Sequence, residues 1–390
     1  MSAVTLVTGA TGFIGGYVVR QLVADGVPTR VLVRRPELLP SGVRGQVEVV
    51  QGDVRDRAAL VAAVRGADTV LHLAACARAW SRDPTEFTTV NVQAVEDLLE
   101  AAAGSGVERL VHVSTILTLP PSRPAPVRGF AARPTPYEAT KRAGERLVEA
   151  YAVSGRHAVI VHPVRVYGPG PCNDANALTR VIDLYLRGRF RVRLEDGDVL
   201  GSYVHAADVA DGIRRAAHAG RPGAHYVLGG ENFSFRAFLD LVGELSGTRQ
   251  RVVALPRRAA LAAGYLALLW GRLGGATPIT PGWIRVFLED RPGDIASARR
   301  DLGYKPRSAR VGVAETIAWL RGERRWQLAA LPGRPGAPRC CSASRRSRSS
   351  ASITWRAPTP WACTRARAAG SRLRECRWPR RSTSRLPRCS

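Results

Sequence analysis

VTLVTGATGFIGGYVVRQLV, Val4–Val23, is the stretch that decides how this chain folds. A β-branched run, Val4–Thr8, leads straight into Gly9, and an amphipathic stretch with helical spacing follows from residue 13. Gly9, Gly12 and Gly15 stand three apart across that junction. Glycine permits the tight turn and lets a pyrophosphate approach backbone N–H groups at the positive end of a helix. A glycine triplet alone says little, because turns use glycine freely. The strand before it and the helix after it turn the triplet into a dinucleotide-binding signature.

Outward from this stretch, apolar runs at 30–34, 47–51, 69–74, 109–114 and 157–163 read as further strands. Their continuity implies burial on both faces, as in a parallel sheet. Helical spacing at 13–24, 56–65, 84–103 and 137–153 fills the gaps. The expected fold is therefore α/β, a doubly wound parallel sheet of the Rossmann type. Beyond residue 170 the alternation gives way to helical stretches at 174–187, 206–218, 233–246, 256–270, 280–290 and 312–322, with short strands. We expect a dinucleotide-binding domain over 1–165, with segments near 200–230 returning to it. An interleaved, mostly helical substrate lobe is expected over 166–328, followed by a tail over 329–390.

The charge is unevenly spread. The 390 residues carry a formal +26, yet residues 331–390 alone hold 15 Arg and a single acid, Glu375. That segment is rich in Arg, Ser, Pro and Cys, lacks aliphatic periodicity, and reads as disordered or as an out-of-frame translation. No aromatic–basic motif of a nucleic-acid module accompanies it, so no nucleic-acid partner is expected. It also holds five of the seven cysteines, with no histidine and no paired spacing suited to a metal. Only Cys76 and Cys172 precede it, which suits a reducing, cytoplasmic setting. The N-terminus has no charged leader or long apolar run, and no signal peptide is expected. The most apolar run, Ala259–Trp270, is flanked by Arg257, Arg258 and Arg272 and is too short to span a bilayer. A packed helix is the expectation there, with shallow membrane contact as the alternative.

At the end of the second strand, an enzyme that uses NAD usually places an acid against the ribose hydroxyls. This chain has Arg34 and Arg35 instead, and no acid until Glu37. A guanidinium fork suits a 2′-phosphate, so NADP(H) is favoured over NAD(H). Asp53 follows the third strand, where its carboxylate could accept the adenine amino group, and Ala74 and Ala75 allow close approach after the fourth. The candidate cofactor contacts are Gly9, Thr11, Gly12, Phe13, Ile14, Gly15, Arg34, Arg35, Asp53, Val54, Leu73, Ala74, Ala75, Tyr137, Lys141, Pro163 and Val164. His72, inside a strand run, reads as a packed residue.

The chemistry is carried by YEATK, Tyr137–Lys141. Arginine outnumbers lysine 56 to 2, yet one of the two lysines stands four residues after a tyrosine, on one helix face. A compact ammonium can hydrogen-bond a ribose and depress a phenol's pKa, which a broad guanidinium does poorly. The phenol would act as the acid/base group. A second hydroxyl should hold the substrate oxygen; Thr115 is the first choice and Ser114 the reserve.

TGATGFIGG, GDVRD, HLAA, VNVQAVEDLLEAA, VSTIL, YEATK, HPVRVYGPG and SYVHAADVADGI occur in the order of the extended short-chain dehydrogenase/reductase family, which the chain resembles over residues 3–325. Arg34, VLGGENFSFRAFLDLV and DIASARRDLGYKP look most like its branch of dihydroflavonol reductases and hydroxysteroid dehydrogenase-like proteins. The resemblance implies Tyr137 as acid/base, Lys141 as its modulator, Thr115 as the hydroxyl residue and His162–Val164 beside the nicotinamide. It also implies a substrate-selecting lobe after residue 165 and a homodimer. Two departures stand out: His162 replaces an arginine common before that proline, and Thr115 replaces the usual serine.

The favoured function is NADP(H)-dependent reduction of a ketone or aldehyde, or oxidation of a secondary alcohol, on a hydrophobic small molecule. Phe233, Phe235, Tyr265, Trp270 and Trp283 offer an apolar lining for it, or simply a core for the lobe. The alternatives are a nucleotide-sugar epimerase or dehydratase that recycles tightly bound NAD(P), and a non-catalytic NADP sensor, which would commonly lack the Tyr-x-x-x-Lys pair.

Overall fold

The computed structural model describes residues 3–322, apart from 173, 196, 274, 276 and 278. The Arg-rich segment 329–390, and the disorder or frameshift expected of it, lie outside the described residues.

The first half alternates as its apolar periodicity requires. It runs β1 (Thr5–Thr8), α1 (Phe13–Ala24), β2 (Thr29–Val33), β3 (Glu48–Gln51), α2 (Arg57–Val64), β4 (Thr69–His72), α3 (Thr85–Thr88), α4 (Ala94–Gly104), β5 (Arg109–Val113), α5 (Pro136–Val153) and β6 (Ala158–Pro163). Then come β7 (Arg165–Tyr167), α6 (Ala177–Leu186), β8 (Val192–Leu194), β9 (Leu200–His205), α7 (Ala206–Ala219), β10 (His225–Leu228), β11 (Glu231–Ser234) and α8 (Phe235–Ser246). The chain continues through β12 (Val253–Leu255), α9 (Arg257–Arg272), α10 (Pro281–Phe287), α11 (Ala296–Leu302) and α12 (Ala309–Leu320).

Seven strands form one parallel sheet in the order β10-β6-β5-β4-β1-β2-β3. β1 lies between β2 and β4, with Thr8 opposite both Leu32 and His72, so the winding reverses there. In an open parallel sheet the crevice at that reversal, beyond the carboxyl ends of the strands, is where ligands bind. The central strands β1, β4 and β6 are buried almost throughout, which explains their unbroken Val, Leu and Ile runs. β10 joins the sheet beside β6, and α7 packs on α1. The later residues add a three-stranded sheet, β11-β9-β7, and the short pair β12-β8.

The stretch expected as one helix over 84–103 is broken into α3, a π turn at Thr89–Gln93, and α4. The extra residue of the π turn carries a buried Asn91. Asn91 accepts from the Cys76 N–H at 2.8 Å and donates to the Cys76 carbonyl at 3.1 Å and to Thr140 at 3.0 Å. The loop after β4 is thereby tied to α5. The approach is close: a Cβ on Gly144 of α5 would lie 2.5 Å from the Asn91 carbonyl oxygen.

Gly→Ala inside a helix ordinarily stabilises by about 0.5–1 kcal/mol. At Gly144 the sign should reverse, because backbone cannot yield to a side chain as a rotamer can. We expect Gly144→Ala to cost about 1–3 kcal/mol, read as a lower denaturant midpoint. An unchanged or raised midpoint would mean that α5 does not pack this closely.

Candidate active site

The carboxyl ends of β1, β2, β4 and β5 bring the sequence candidates to one side of the sheet. Gly9 has φ +73°, a left-handed conformation that suits glycine, and its carbonyl accepts from the Gly12 N–H at 2.9 Å. A Cβ at Gly9 would sit 2.7 Å from the Ala74 nitrogen, and one at Gly15 would meet the Gly9 carbonyl oxygen at 2.1 Å. The two glycines let the loop fold against β4 and let α1 start directly behind it.

A cavity of about 230 Å³ opens over this loop. Gly9, Thr11, Gly12, Arg34, Asp53, Val54, Leu73, Ala74 and Ala75 line it. A second hollow of about 360 Å³ lies on the other side of the loop, against Phe13, Tyr17 and Pro169. A glycine cradle at a helix N-terminus, flanked by a cavity, fits a dinucleotide. Arg34 is exposed at the rim, with a guanidinium nitrogen 3.7 Å from Asp53. Asp53 is gripped more tightly by Arg55, at 2.7 and 3.1 Å, and that hydrogen bond holds its carboxyl below the usual range. Arg35, also exposed, precedes the short 3-10 turn at Pro36–Leu38.

Tyr137 and Lys141 stand on α5, whose start is fixed by a capping box between Thr135 and Glu138 with Pro136 as the first helical residue. Tyr137 is half-buried, and the Thr115 hydroxyl lies close enough to its phenol to lower its pKa. The ring lies against Trp283, with centroids 6.4 Å apart. Burial pushes the phenol up to about 12, against which the nearby Thr115 hydroxyl works in the opposite direction. The Lys141 ammonium is turned inward, donating to the Val113 carbonyl at 2.8 Å and lying 3.2 Å from His112 Nε2. Lys141 is itself only 1% exposed, and burial lowers it to about 8.

The two hydroxyl candidates separate clearly. Ser114 donates a short hydrogen bond to the buried Glu145 carboxylate, while the Thr115 hydroxyl faces Tyr137 and accepts from the Leu117 N–H at 3.3 Å. Thr115 is thus the hydroxyl next to the phenol, and Ser114 is committed to the interior. His162 does not present its ring to the crevice. Fully buried, it lies 3.0 Å from the Thr115 carbonyl and 3.0 Å from His225. The neighbouring Pro163 is buried and Val164 half-buried. His72 is packed, 2.8 Å from Thr8 and stacked on His112. Burial and the nearby Lys141 charge keep both rings neutral.

Of the five aromatic residues proposed for the lobe, only Trp283 lies against Tyr137. Phe233 and Phe235 pack with Tyr203 and Phe238 in the lobe's core, and Tyr265 and Trp270 are exposed. Sequence reasoning missed Glu145, Asn91, His112, Arg285 and Arg291. The signal for the first was available, since Glu145 lies one helical turn beyond Lys141 on the same face.

Lys141 gives a pH test. Its folded pKa lies below the ordinary lysine value, so between about 8 and 10.5 the unfolded chain binds more protons than the native one. Stability due to this group should therefore rise with pH across that window and be lowest below it. Lys141→Met should gain about 1–3 kcal/mol at pH 7, a margin that shrinks toward pH 10. Paired denaturation curves across that range check it; a constant margin would contradict the buried ammonium.

Residues 5–229 match the NAD dependent epimerase/dehydratase family. Over 316 residues the chain is 33% identical to the 4-hydroxy-2-methyl-3-oxo-4-farnesyl-3,4-dihydroquinoline-1-oxide ketoreductase of Stigmatella aurantiaca, covering 78% of this chain and 92% of that protein. It is 31% identical to sterol demethylase protein B of Methylococcus capsulatus, covering 81% of this chain and 98% of that protein. Among solved structures, the UDP-glucose 4-epimerase of Thermus thermophilus in complex with NAD superposes with a TM-score of 0.63 at 26% identity, covering 82% of this chain and 99% of that one. With the glycine cradle and the Tyr-x-x-x-Lys helix in place, the chain belongs to the NAD-dependent epimerase/dehydratase family and is an extended short-chain dehydrogenase/reductase acting between CH–OH and C=O with NAD(P).

Proposed function

We propose that the chain is an NADP(H)-dependent reductase of a ketone or aldehyde on a hydrophobic small molecule, working also in reverse on the secondary alcohol. The observation that carries this reading is the pairing of the Tyr137 phenol with the Thr115 hydroxyl, beside an apolar wall made by Trp283. The names of the relatives support it, because one is a ketoreductase of a farnesylated quinoline and another is named for sterols. The absence of an acid between Arg34 and Glu37 supports NADP(H) over NAD(H).

When bound, the nicotinamide supplies or accepts the hydride. The chain does the rest. The glycine loop would hold the pyrophosphate on backbone N–H groups, and Arg34 would meet a 2′-phosphate at the cavity rim. Burial keeps the Tyr137 phenol protonated through the physiological range, so it enters reduction as a proton donor to the developing alkoxide. Thr115 would donate a second hydrogen bond to the same oxygen. Lys141, held between Val113 and His112, places a positive charge beneath the helix turn that carries the phenol.

The likeness to an epimerase solved with NAD favours one other reading, a nucleotide-sugar epimerase. Such an enzyme regenerates its cofactor, so it would retain NAD and consume no NADPH.

Tyr137→Phe should lower kcat on a carbonyl substrate by about 10²–10⁴-fold while leaving the NADPH Kd nearly unchanged. Arg34→Ala should weaken NADPH by about tenfold and leave NADH alone. Loss of absorbance at 340 nm across a carbonyl panel, with titration of both cofactors, tests both. Full turnover by Tyr137→Phe, or NAD retained on purification without net NADPH use, would overturn the reductase reading.

A further inference from the structure

Helix α9 inverts the usual division of residues. Its buried positions are small, Ala260, Gly264 and Gly271, and Gly264 lets α10 approach so closely that a Cβ there would lie 2.6 Å from Ile284. Leu261 packs inward, but most of the large apolar side chains in its second half point outward. Leu266 is 68% exposed, Leu269 56% and Trp270 62%, and Leu273 just past the helix is 75% exposed. A surface helix normally turns such residues to the core, so an outward cluster of this size marks a contact surface.

The patch continues toward the candidate active site. Tyr265 lies 6.4 Å from the exposed Phe130, ring to ring. From Tyr137, Trp283 follows at 6.4 Å and the exposed Phe287 a further 6.2 Å on. An apolar track therefore runs from the phenol to the protein surface on α10, the helix against which α9 packs.

Along the chain around α9 the charge is basic, with Glu195 accepting from the Arg257 N–H at its start. Between Glu244 and Glu289 the sequence contains no acid, and it has Arg249, Arg251, Arg257, Arg258 and Arg272, besides Arg285, which is buried in its pairs with Glu138 and Glu289. Arg257 and Arg258 open α9 and Arg272 closes it. Outward apolar residues bracketed by arginines are suited to the boundary of an anionic bilayer, where the apolar face enters and the guanidinium groups meet the headgroups. The helix has 16 residues, and among the described residues none is long and apolar enough to cross a membrane.

We propose that the outer face of α9, with Phe130 and Phe287, docks the enzyme on an anionic lipid surface, so that an apolar substrate reaches Tyr137 from the bilayer. The route of substrate entry rests on the reductase reading; the docking itself does not.

The test is co-sedimentation of the full chain, without substrate, with phosphatidylcholine vesicles lacking or containing phosphatidylglycerol. The wild type should sediment with the anionic vesicles, and less so as salt is raised. Leu266→Glu combined with Trp270→Glu should lower the partition coefficient by about tenfold or more. Val153→Glu with Val311→Glu adds the same charge at exposed positions outside the patch and should leave binding unchanged. All these side chains are exposed, and equal thermal midpoints would establish that the variants fold. Wild type left in the supernatant overturns the proposal. So does undiminished binding by the α9 variant, which would place the contact elsewhere, the Arg-rich 331–390 segment included. Velocity sedimentation showing a dimer that the α9 variant dissolves would assign the face to a second copy instead. Because no turnover is read, failure here leaves the Tyr137→Phe assay standing, and the reverse also holds.

Discussion

Helix α5 can seat against the sheet only if the charges on its inward face, Glu138, Lys141 and Glu145, each find a partner. An unpaired ion withdrawn from water costs several kcal/mol, more than a helix of this length gains from its few buried apolar contacts. Every one is matched. Glu138 pairs with Arg285, caps its own helix through the Thr135 N–H at 2.7 Å, and lies 3.9 Å from Arg291. Lys141 rests on the Val113 carbonyl and His112. Glu145, wholly buried, accepts from Ser114, from Thr118 at 2.6 Å and from Arg142 at 3.3 Å. The positions of Tyr137 and Thr115 follow from these pairings, because one side chain lies between Glu138 and Lys141 on one side and the Thr135 cap on the other, and the second lies between Ser114 and Thr118.

The same pairings tie the second half of the chain to the chemistry. Arg285 comes from α10, and Arg291 from the segment just after it, yet both reach the start of α5. Arg291 also donates to the carbonyls of Ile116 and Leu119, at 3.1 and 2.5 Å, in the turn that follows Thr115. Glu289 bridges the two arginines. A shift of the lobe would thus be felt at both hydroxyl groups of the site at once.

The sheet and the glycine loop were legible because they depend on local sequence. Val4–Thr8 must be a buried strand, and Gly9 must be glycine where φ is positive and Ala74 is in contact. The Tyr137–Lys141 pair was legible for the same reason, being four residues apart on one helix. The buried network was not. Glu138 reads as a solvated acid until Arg285 is placed 147 residues away, and the reason for His162 appears only when β6 lies beside β5 and β10. The histidine that departs from the common arginine braces the Thr115 backbone from behind. The π turn was illegible too: a one-residue excess within a helical period leaves the apolar pattern intact on either side of Asn91.

Burial acts on the two central groups in the same sense, toward their neutral forms. It raises the Tyr137 phenol to about 12 and lowers the Lys141 ammonium to about 8. Lys141 retains its proton at neutral pH through the carbonyl and imidazole acceptors beneath it and the Glu145 carboxylate nearby. Tyr137 has only the Thr115 hydroxyl acting the other way, while Cys76 and Glu145 oppose ionisation. At neutral pH the phenol is therefore protonated. Burial thus sets the protonation of both groups before any substrate is bound.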